Sequence, residues 1–391
     1  MRIVIAGGGF GGIKTALELA HHKEFDITLI SDRDHFLYYP ALYGTATGGS
    51  HLQSWVPLTT IFAHVPNVKV VKDTVQALDA PRKLLTGASG TAYEYDNCVL
   101  ALGVVTTYFG IEGLAEHTYS IKSIEEVDRF KKHMHDEIVT TKHMDKNYVV
   151  VGAGPTGVEL SAALTSYLTR VSDKHGIANG KIHIDLVEAA PRVLPKMSQK
   201  TSAIVQRRLE KLGVRVMTNE KVEAADDDSL QVNGREIPSK TVVWTSGVTN
   251  NSFFKDNAHA FHLAKNGRVE VDSHLQATDH VYVIGDNAAT PFTGLAQTAL
   301  HDALFISDHL RRLARKLPFR DYKARNPPVV VPVGEHWAIF EWGWLRLHGR
   351  IASLVRRAAD FIGYSDVLPI GQALGVWRAE YKREGDCPTC R

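Results

Sequence analysis

The chain is poor in cysteine, nearly balanced in charge and free of long apolar runs. Three cysteines among 391 residues are too few for a disulfide framework, which favours a reducing, cytoplasmic compartment. The formal net charge of +2 gives no reason to expect a nucleic-acid partner, and the 19 histidines lack the spacing of a zinc site, so we expect no metal. No run of about 18 uncharged apolar residues is present, so no membrane-spanning helix is predicted.

The first residues form a short apolar run that leads directly into glycines. Residues 2–6, RIVIA, predict a buried parallel strand, because such strands are continuous apolar runs. A signal peptide is not predicted, because it would need a charged start and a small-residue cleavage site. Gly7, Gly9 and Gly12 then fit G-x-G-x-x-G, and a helix-like segment and the strand-like residues 26–31 follow. This order predicts a βαβ unit whose helix N-terminus binds a pyrophosphate.

The same pattern returns later in the chain. Gly152, Gly154 and Gly157 stand between the apolar run YVVV and a helical segment, and a further strand ends at Glu188. A single G-x-G-x-x-G also occurs in ordinary glycine-rich turns, but both copies here lie between a strand and a helix. The sequence therefore predicts an α/β protein with two Rossmann-like dinucleotide-binding domains.

An acidic residue near the end of the second strand of each unit is a candidate ribose ligand. Glu188 can accept hydrogen bonds from both hydroxyls of an adenine ribose and would repel a 2′-phosphate, which favours NADH over NADPH. Arg192 follows closely and argues the other way, because an arginine can accommodate that phosphate. In the first unit the corresponding residue is Asp32, which is either a ribose ligand or a solvated turn acid.

Two later segments complete a recognisable set. A strand-like run leads to Gly103, and the run VYVIGD ends in Gly285 and Asp286. With both glycine loops, these segments resemble the flavoprotein disulfide reductase (pyridine nucleotide-disulfide oxidoreductase) superfamily. The resemblance implies that the first loop binds FAD together with Gly103, Gly285 and Asp286, and that the second binds NADH. No cysteine pair lies where the disulfide reductases carry theirs, so the electrons must pass to an external acceptor.

More specific stretches resemble the type II NADH:quinone oxidoreductases, among them ITLISDRDHFLYYPALYGTATG, GAGPTGVELS, VVWTSGV and GLAQTALHDA. In that family Ala-Gln-x-Ala-x-Gln lines the quinone pocket beside the flavin. Ala296, Gln297 and Ala299 match this motif, and His301 replaces the last glutamine. The resemblance implies that Ala296 lies by the flavin and that Gln297 and His301 contact the quinone, where a histidine adds a titratable group.

Glu159 occupies the family's glutamate position near the nicotinamide and the flavin, where that residue is implicated in hydride or proton coupling. The resemblance therefore gives Glu159 a catalytic role. A simpler explanation is a glutamate in the first turn of a helix, where the helix dipole favours a negative charge.

The C-terminal segment WGWLRLHGRIASLVRRAADFIGY combines apolar residues with arginines. This basic amphipathic pattern predicts a helix that lies on a membrane surface, although packing on the core or at a dimer interface is the alternative. The last residues place Cys387 and Cys390 in C-x-x-C spacing. An exposed tail is the favoured interpretation there, and an intersubunit zinc or disulfide site is the alternative.

Together the motifs predict how the chain is divided and what it does. Residues 1–112 and 248–323 are expected to form an FAD-binding domain, 113–247 an NADH-binding domain, and 324–391 an α-rich region for dimerisation or membrane association. NADH would give a hydride to FAD, and two electrons would then pass to a membrane quinone without proton pumping. We expect a homodimer, peripheral on the inner face of the cell membrane.

Two other functions fit the same motifs. The first is a soluble NADH oxidase or an NADH-dependent reductase of a small redox protein, which would lack a quinone-reactive site. The second is an NADH-responsive flavoprotein without catalytic turnover, in which reduction by NADH would be slow.

Overall fold

A computed structural model describes residues 1–142, 144–177, 182–380 and 382 of the chain. Cys387 and Cys390 lie outside these described residues, so the two interpretations of the C-x-x-C pair stay predictions.

The described residues contain strands β1–β23 and helices α1–α11. The strands are, in order, Arg2–Ala6, Asp26–Ser31, His35–Leu37, Trp55–Pro57, Val68–Lys72, Val75–Asp79, Leu84–Gly87, Ala92–Glu94, Asn97–Leu100, Val104–Thr106, Tyr148–Val151, Ile184–Glu188, Val214–Thr218, Val222–Ala225, Ser229–Val232, Arg235–Pro238, Thr241–Trp244, Val248–Asn250, Gln276–Thr278, Val281–Val283, Val329–Pro332, Ala338–Trp342 and Leu345–Gly349. The helices are Phe10–Ala20, Leu42–Ala46, Leu58–Ile61, Leu114–His117, Ile124–His135, Pro155–His175, Gln199–Lys211, Ser252–Asp256, Ala296–Ala314, Arg350–Ser365 and Ile370–Ala379.

The first large sheet combines four strands from residues 2–100 with two strands from residues 276–283. Its strand order is β19-β20-β9-β1-β2-β5, and all neighbours are parallel except β19 and β20. Strand β1 is buried from Ile3 to Ala6, as its uninterrupted apolar run predicts for a strand covered on both faces. Helices α1 and α9 pack beside each other on this sheet, so the N-terminal glycine loop and the later Gly-Asp turn share one sheet.

The second large sheet has the order β13-β12-β11-β17, and its neighbours are all parallel. Strand β11 is buried along its whole length and leads into the second glycine loop and the long helix α6. Two parallel sheets, each with a strand, a glycine loop and a helix at its centre, confirm the predicted pair of Rossmann-like units.

The C-terminal region begins with strands rather than with a helix. Strands β21, β22 and β23 form an antiparallel sheet, and only then does α10 begin at Arg350. Leu345, Arg346 and Leu347 therefore lie on a strand, although their apolar and basic spacing also suited the amphipathic helix. The reason is the turn at Gly343, whose φ of 56° is a left-handed conformation that glycine adopts readily, and which folds β23 back on β22. Within the described ranges, no helix is long and apolar enough to cross a membrane.

The third glycine of each loop lets helix and strand pack closely. A Cβ atom on Gly157 would overlap the carbonyl oxygen of Gly152 and lie 2.7 Å from the hydroxyl oxygen of Thr245. A Cβ atom on Gly154 would meet nothing within 4 Å, and its φ of −69° suits any residue. Packing within the fold therefore requires glycine at residue 157. Residue 154 borders open space, and packing does not require glycine there.

We expect Gly157→Ala to destabilise the protein and Gly154→Ala to leave its stability unchanged. Overpacking at residue 157 forces backbone shifts that cost about 1–3 kcal/mol. Thermal unfolding of the two variants, followed by circular dichroism, measures the difference. Equal midpoints for Gly157→Ala and the unaltered chain would contradict the packing role of Gly157.

Candidate active site

A cavity of about 120 Å³ lies at the carboxyl ends of β1, β2 and β9. We call it the loop cavity, and its lining includes the three consecutive glycines Gly7–Gly9, Asp32 and Gly103. Helix α1 begins directly after Gly9 and has no side-chain cap, so its first N–H groups stay available to an anion. A Cβ atom on Gly9 or Gly103 would meet nothing within 4 Å, which leaves room for a ligand against the backbone. These residues fit the adenosine and pyrophosphate part of FAD.

Gly12 is the member of the first motif that does not line the loop cavity. A Cβ atom there would overlap the carbonyl oxygen of Gly7, so Gly12 serves the packing of α1 against β1. Asp32 is exposed, and its carboxylate lies 3.5 Å from the Nε of Arg33. Asp32 therefore borders the cavity while remaining in contact with solvent.

A buried asparagine that the sequence interpretation missed holds Gly103 in place. The Oδ1 atom of Asn287 accepts the N–H of Gly103 at 2.8 Å, and its Nδ2 donates to the Gly103 carbonyl at 2.6 Å and to Oδ1 of Asn250 at 2.7 Å. The only sequence signal for Asn287 was its position directly after the Gly285-Asp286 pair. The asparagine joins the end of β9 to the turn after β20.

A second missed residue, Asp302, braces the Gly285-Asp286 turn from behind. Its side chain is fully buried; one carboxylate oxygen accepts the N–H of Gly285 at 2.9 Å and the other accepts the Tyr322 hydroxyl at 2.6 Å. Asp286 in turn accepts the N–H of Gly294 at 2.9 Å. Burial raises the pKa of both Asp286 and Asp302 above the ordinary value of an aspartate.

The larger site is a cavity of about 450 Å³ between the first sheet, the start of α6, and α10. We call it the large cavity. It brings together eight of the residues named from the sequence: Gly9, Gly103, Glu159, Gly285, Asp286, Ala296, Gln297 and Ala299. Apolar side chains such as Leu300, Val329 and Val330 line it as well. The two dinucleotide loops and the Ala-Gln-x-Ala segment thus converge on one space.

His301 does not line the large cavity. Its Nε2 atom lies 3.0 Å from the carbonyl oxygen of Lys323, and its ring lies 5.5 Å from that of Tyr322. The side chain is therefore turned toward the segment that follows α9, whereas Gln297 one turn earlier lines the cavity. The predicted contact between His301 and a quinone would require that ring to leave its present partner.

Glu159 is a buried member of a charged cluster that we call the Glu159 cluster, formed by Tyr38, Glu159, Arg356 and Asp360. The Nη1 atom of Arg356 lies 3.6 Å from Oε1 of Glu159, and its Nε donates to Asp360 at 2.6 Å. The Tyr38 hydroxyl donates to the other oxygen of Asp360 at 2.8 Å. Side-chain exposure is 10% for Glu159, 12% for Arg356 and 13% for Asp360, so all three are largely removed from water.

One guanidinium in this cluster serves two carboxylates. Asp360 receives the shorter contact from Arg356 and a second hydrogen bond from the Tyr38 hydroxyl. If Glu159 were also ionised, the buried cluster would carry a net negative charge, and that is costly away from water. Burial, opposed by Arg356 and assisted by Asp360, raises the pKa of Glu159 to about 8. Glu159 can therefore hold a proton near neutral pH.

The second glycine loop has the same geometry as the first. Gly154 precedes α6, no side chain caps that helix, and Pro155 stands at its first position. Glu188 lies at the end of β12 beside the loop, where its carboxylate accepts the N–H of Ala153 at 2.6 Å and of Ala190 at 2.8 Å. The helix N-terminus and this carboxylate suit the pyrophosphate and the ribose of a dinucleotide.

Arg192 is turned away from Glu188. Its guanidinium donates to the carbonyl oxygens of Pro195 at 2.6 Å and Met197 at 2.5 Å and to the hydroxyl of Ser202 at 2.9 Å. These three hydrogen bonds use three of the five guanidinium N–H donors and hold the guanidinium against residues 195–202. The objection that Arg192 raised against NADH is weakened accordingly.

Comparison with known proteins agrees with this arrangement. Residues 1–303 match the pyridine nucleotide-disulphide oxidoreductase family. Two Mycobacterium tuberculosis proteins are similar over most of their length: the type II NADH:quinone oxidoreductase NdhA is 29% identical, covering 96% of this chain and 86% of its own, and the type II NADH:quinone oxidoreductase Ndh is 31% identical, covering 90% and 82%.

A solved structure shares the fold at lower identity. The structure of NDH2 from Plasmodium falciparum in complex with NADH superposes with a TM-score of 0.87 and 18% identity, over 97% of each chain. The family match and the 31% identical relative establish the assignment on sequence grounds. The chain therefore belongs to the pyridine nucleotide-disulphide oxidoreductase family and, within it, to the type II NADH:quinone oxidoreductases.

Proposed function

We propose that this chain is an FAD-dependent oxidoreductase that oxidises NADH and reduces a membrane quinone. The observation that carries the proposal is the large cavity, where the ends of both dinucleotide loops meet Gln297 and Glu159. The overall reaction is NADH + H⁺ + quinone → NAD⁺ + quinol. Proton pumping is not part of the proposed reaction, in which the electrons pass from NADH through FAD to the quinone.

Each part of the chain has a separate task in this proposal. Residues 1–112 and 248–323 bind FAD, since their strands share one sheet and their glycines line the loop cavity and the large cavity. Residues 113–247 bind NADH through the second glycine loop. Residues 324–391 provide the surface for membrane association or dimerisation, and among the described ones Arg356 and Asp360 line the large cavity.

FAD, when bound, accepts a hydride from the nicotinamide and releases two electrons to the acceptor. The protein positions the reactants around it. Gly9 and Gly103 leave room for the cofactor against the backbone, Gly7 allows the close approach of β1 to Ala101, and the buried Asn287 fixes Gly103. Asp286 borders the large cavity from the turn that Asp302 braces.

NADH is held by the second loop. The N–H groups at the start of α6 bind the pyrophosphate, Gly154 allows it to approach the backbone, and Glu188 accepts the ribose hydroxyls. Pro155 and Thr156 line the large cavity, so the nicotinamide end of the dinucleotide reaches that space. The Arg192 guanidinium is bound to the carbonyl oxygens of Met197 and Pro195. It therefore does not serve as a partner for a ribose 2′-phosphate, which supports NADH as the substrate.

The quinone occupies the part of the large cavity beside α9. Ala296 and Ala299 are small enough to let a ring approach, and Leu300 and Val330 offer apolar contact. The Gln297 side-chain amide supplies a hydrogen-bond donor for a quinone oxygen. Glu159 lines the same space, and its protonated carboxyl can give a proton at Oε to the oxygen that gains electrons.

One exposed face of α10 suits a membrane surface. Ile351, Leu354 and Ile362 are 64%, 63% and 61% exposed and follow one stripe of the helix, and Trp344 in the preceding turn is 90% exposed. Exposed Arg350 lies at the start of the helix, which suits anionic headgroups. On the opposite face of α10, Arg356 and Asp360 line the large cavity. Binding of the exposed face to a membrane would therefore place the quinone site beside the lipid. A homodimer through the same face is the alternative.

Gln297→Ala should slow quinone reduction more than flavin reduction. The change removes the amide that binds the quinone oxygen and leaves the NADH loop untouched, so we expect a loss on the order of tenfold or more in quinone turnover. Anaerobic stopped-flow absorbance separates bleaching of the flavin by NADH from its reoxidation by a short-chain quinone. Purified protein without a flavin spectrum, or bleaching without reoxidation, would refute quinone reduction by the unaltered chain.

His301→Ala is the matched comparison on the same helix. Because His301 bonds the Lys323 carbonyl rather than lining the cavity, we expect it to affect quinone reoxidation much less than Gln297→Ala does. An equal loss in both variants would place His301 in the quinone site, as the family motif implies.

Quinone reduction should fall as the pH rises through about 8. The raised pKa of Glu159 keeps its carboxyl protonated below that pH, and the proton donor is lost above it. Glu159→Gln should remove this pH dependence and slow reoxidation about a hundredfold, the lower range for general acid catalysis. A pH profile of the reoxidation step in both proteins provides the measurement, and an unchanged profile in Glu159→Gln would assign the titration to another group.

Replacing the apolar stripe should release the protein from membranes. In the triple variant Ile351→Ser, Leu354→Ser, Ile362→Ser, we expect the affinity for vesicles to fall about tenfold for each side chain replaced. Sedimentation with phosphatidylglycerol-containing vesicles measures it, and Leu263→Ser, an exposed apolar position away from α10, is the control. If the triple variant instead binds vesicles normally but changes from dimer to monomer, the face is a dimer interface.

A further inference from the structure

A second cavity, of about 330 Å³, lies on the other side of Glu159. We call it the polar cavity. It is enclosed by α2, α6, α10 and the β21–β22 turn, and it has four lining residues in common with the large cavity: Pro40, Glu159, Arg356 and Asp360. The Glu159 cluster is therefore the wall between the two spaces.

The two cavities differ in character. The large cavity has an apolar lining around Leu300 and the residues 327–331. The polar cavity is lined by charged, hydroxyl and amide side chains, and its rim includes the exposed Glu335, His336 and Glu380. Water can thus enter the polar cavity from its rim and reach the carboxyl of Glu159.

The reaction itself requires one proton from solvent in each turnover. NADH supplies two electrons and one hydrogen nucleus as hydride, whereas reduction of a quinone to a quinol takes up two electrons and two protons. The second proton must reach a quinone that sits in an apolar pocket. Glu159, a buried carboxyl that lines both the pocket and a water-accessible cavity, meets that requirement.

On these grounds we propose that the polar cavity is the proton inlet of the quinone site, and that Asp360 is a positioning residue that keeps Glu159 ready to carry the proton. The proposal rests on the proposed quinone reductase function and deepens it. Glu159 gives its proton to the quinone oxygen on the large-cavity side and takes a replacement from water on the polar-cavity side. No other oxidant or reductant is involved.

Asp360 acts through Arg356. By accepting the Nε–H of Arg356 at 2.6 Å and the Tyr38 hydroxyl at 2.8 Å, Asp360 holds the guanidinium 3.6 Å from Glu159 instead of in direct hydrogen-bond contact with it. The arginine is held further by the Pro40 carbonyl, which accepts its Nη2 at 2.9 Å. Without Asp360, the arginine would be left to Glu159 and would stabilise its ionised form. Other titratable or charged groups that line the polar cavity are Tyr43, Arg170, Glu335, His336, Arg357, Tyr364 and Glu380, and those on the large-cavity side are Tyr39 and Asp286.

Larger side chains that fill the polar cavity test whether it is the proton inlet. Ala163 and Ser166 follow Glu159 on α6 and line the polar cavity but not the large one. We expect Ala163→Leu and Ser166→Leu to slow flavin reoxidation by a short-chain quinone on the order of tenfold and to raise its solvent deuterium isotope effect, because proton uptake becomes limiting. Thr169→Leu, at an exposed position of the same helix that lines neither cavity, is the control.

Asp360→Asn provides a second, independent measurement. We expect the pH above which quinone-dependent reoxidation declines to move about 1 unit lower, because Arg356 then favours the ionised Glu159. A merely structural role of Asp360 would change the rate without moving this pH. Reduction of the flavin by NADH, measured in the same experiment, should keep its rate in Ala163→Leu and Ser166→Leu, since neither residue lines the large cavity.

The outcomes separate the inlet from the proposed function. If both leucine variants reoxidise at the control rate with an unchanged isotope effect, the proton does not enter through the polar cavity, although quinone reduction itself stands. If Asp360→Asn leaves the pH profile in place, its positioning role is refuted. If the unaltered protein bleaches with NADH but no quinone reoxidises it, the proposed function fails, and the inlet fails with it.

Discussion

The sharing of one arginine between two buried carboxylates is the interaction on which the site depends. Arg356 comes from α10, Glu159 from the first turns of α6, and Asp360 from the next turn of α10, so the contact fastens the C-terminal region to the second dinucleotide unit. With both carboxylates ionised, the cluster would carry a net negative charge that burial penalises. Burial therefore favours a proton on Glu159, whose pKa is raised to about 8, while Asp360 accepts hydrogen bonds from Arg356 and Tyr38.

The two glycine loops determine where this cluster can form. Each loop places a helix N-terminus at the carboxyl end of a parallel sheet, and ligands bind at such ends in doubly wound folds. Gly12 and Gly157 allow the close packing that fixes those helices. Because Glu159 lies just after the second loop, any dinucleotide bound at that loop extends toward the same carboxyl. Cofactor binding and proton handling are thus adjacent for a geometric reason.

Sequence patterns predicted the local features well and the long-range ones poorly. Both βαβ units follow from the spacing of glycines and apolar runs, and Gln297 was found through a family motif. Asn287 and Asp302 were missed because their partners, Gly103 and Gly285, lie in strands or turns that only the sheet order brings near. The direction of His301 was equally hidden, since it depends on the Lys323 carbonyl, in a segment without regular structure. The strand β23 was obscured by spacing that suits a helix too, until the turn at residue 343 is considered.

A quinone reductase must keep an apolar substrate and a proton source close together without mixing them. An apolar pocket opened to water would lose the desolvation that binds the quinone ring, whereas a closed one would leave the product without its second proton. In the proposed arrangement, the wall that contains Glu159 resolves this conflict, because the carboxyl can transmit a proton while the wall excludes bulk water. Here that wall is made by α6 and α10 together, and only α10 also presents an exposed apolar stripe at Ile351, Leu354 and Ile362. Any movement of α10 on a lipid surface would therefore act directly on the position of Arg356 and, through it, on the charge of Glu159.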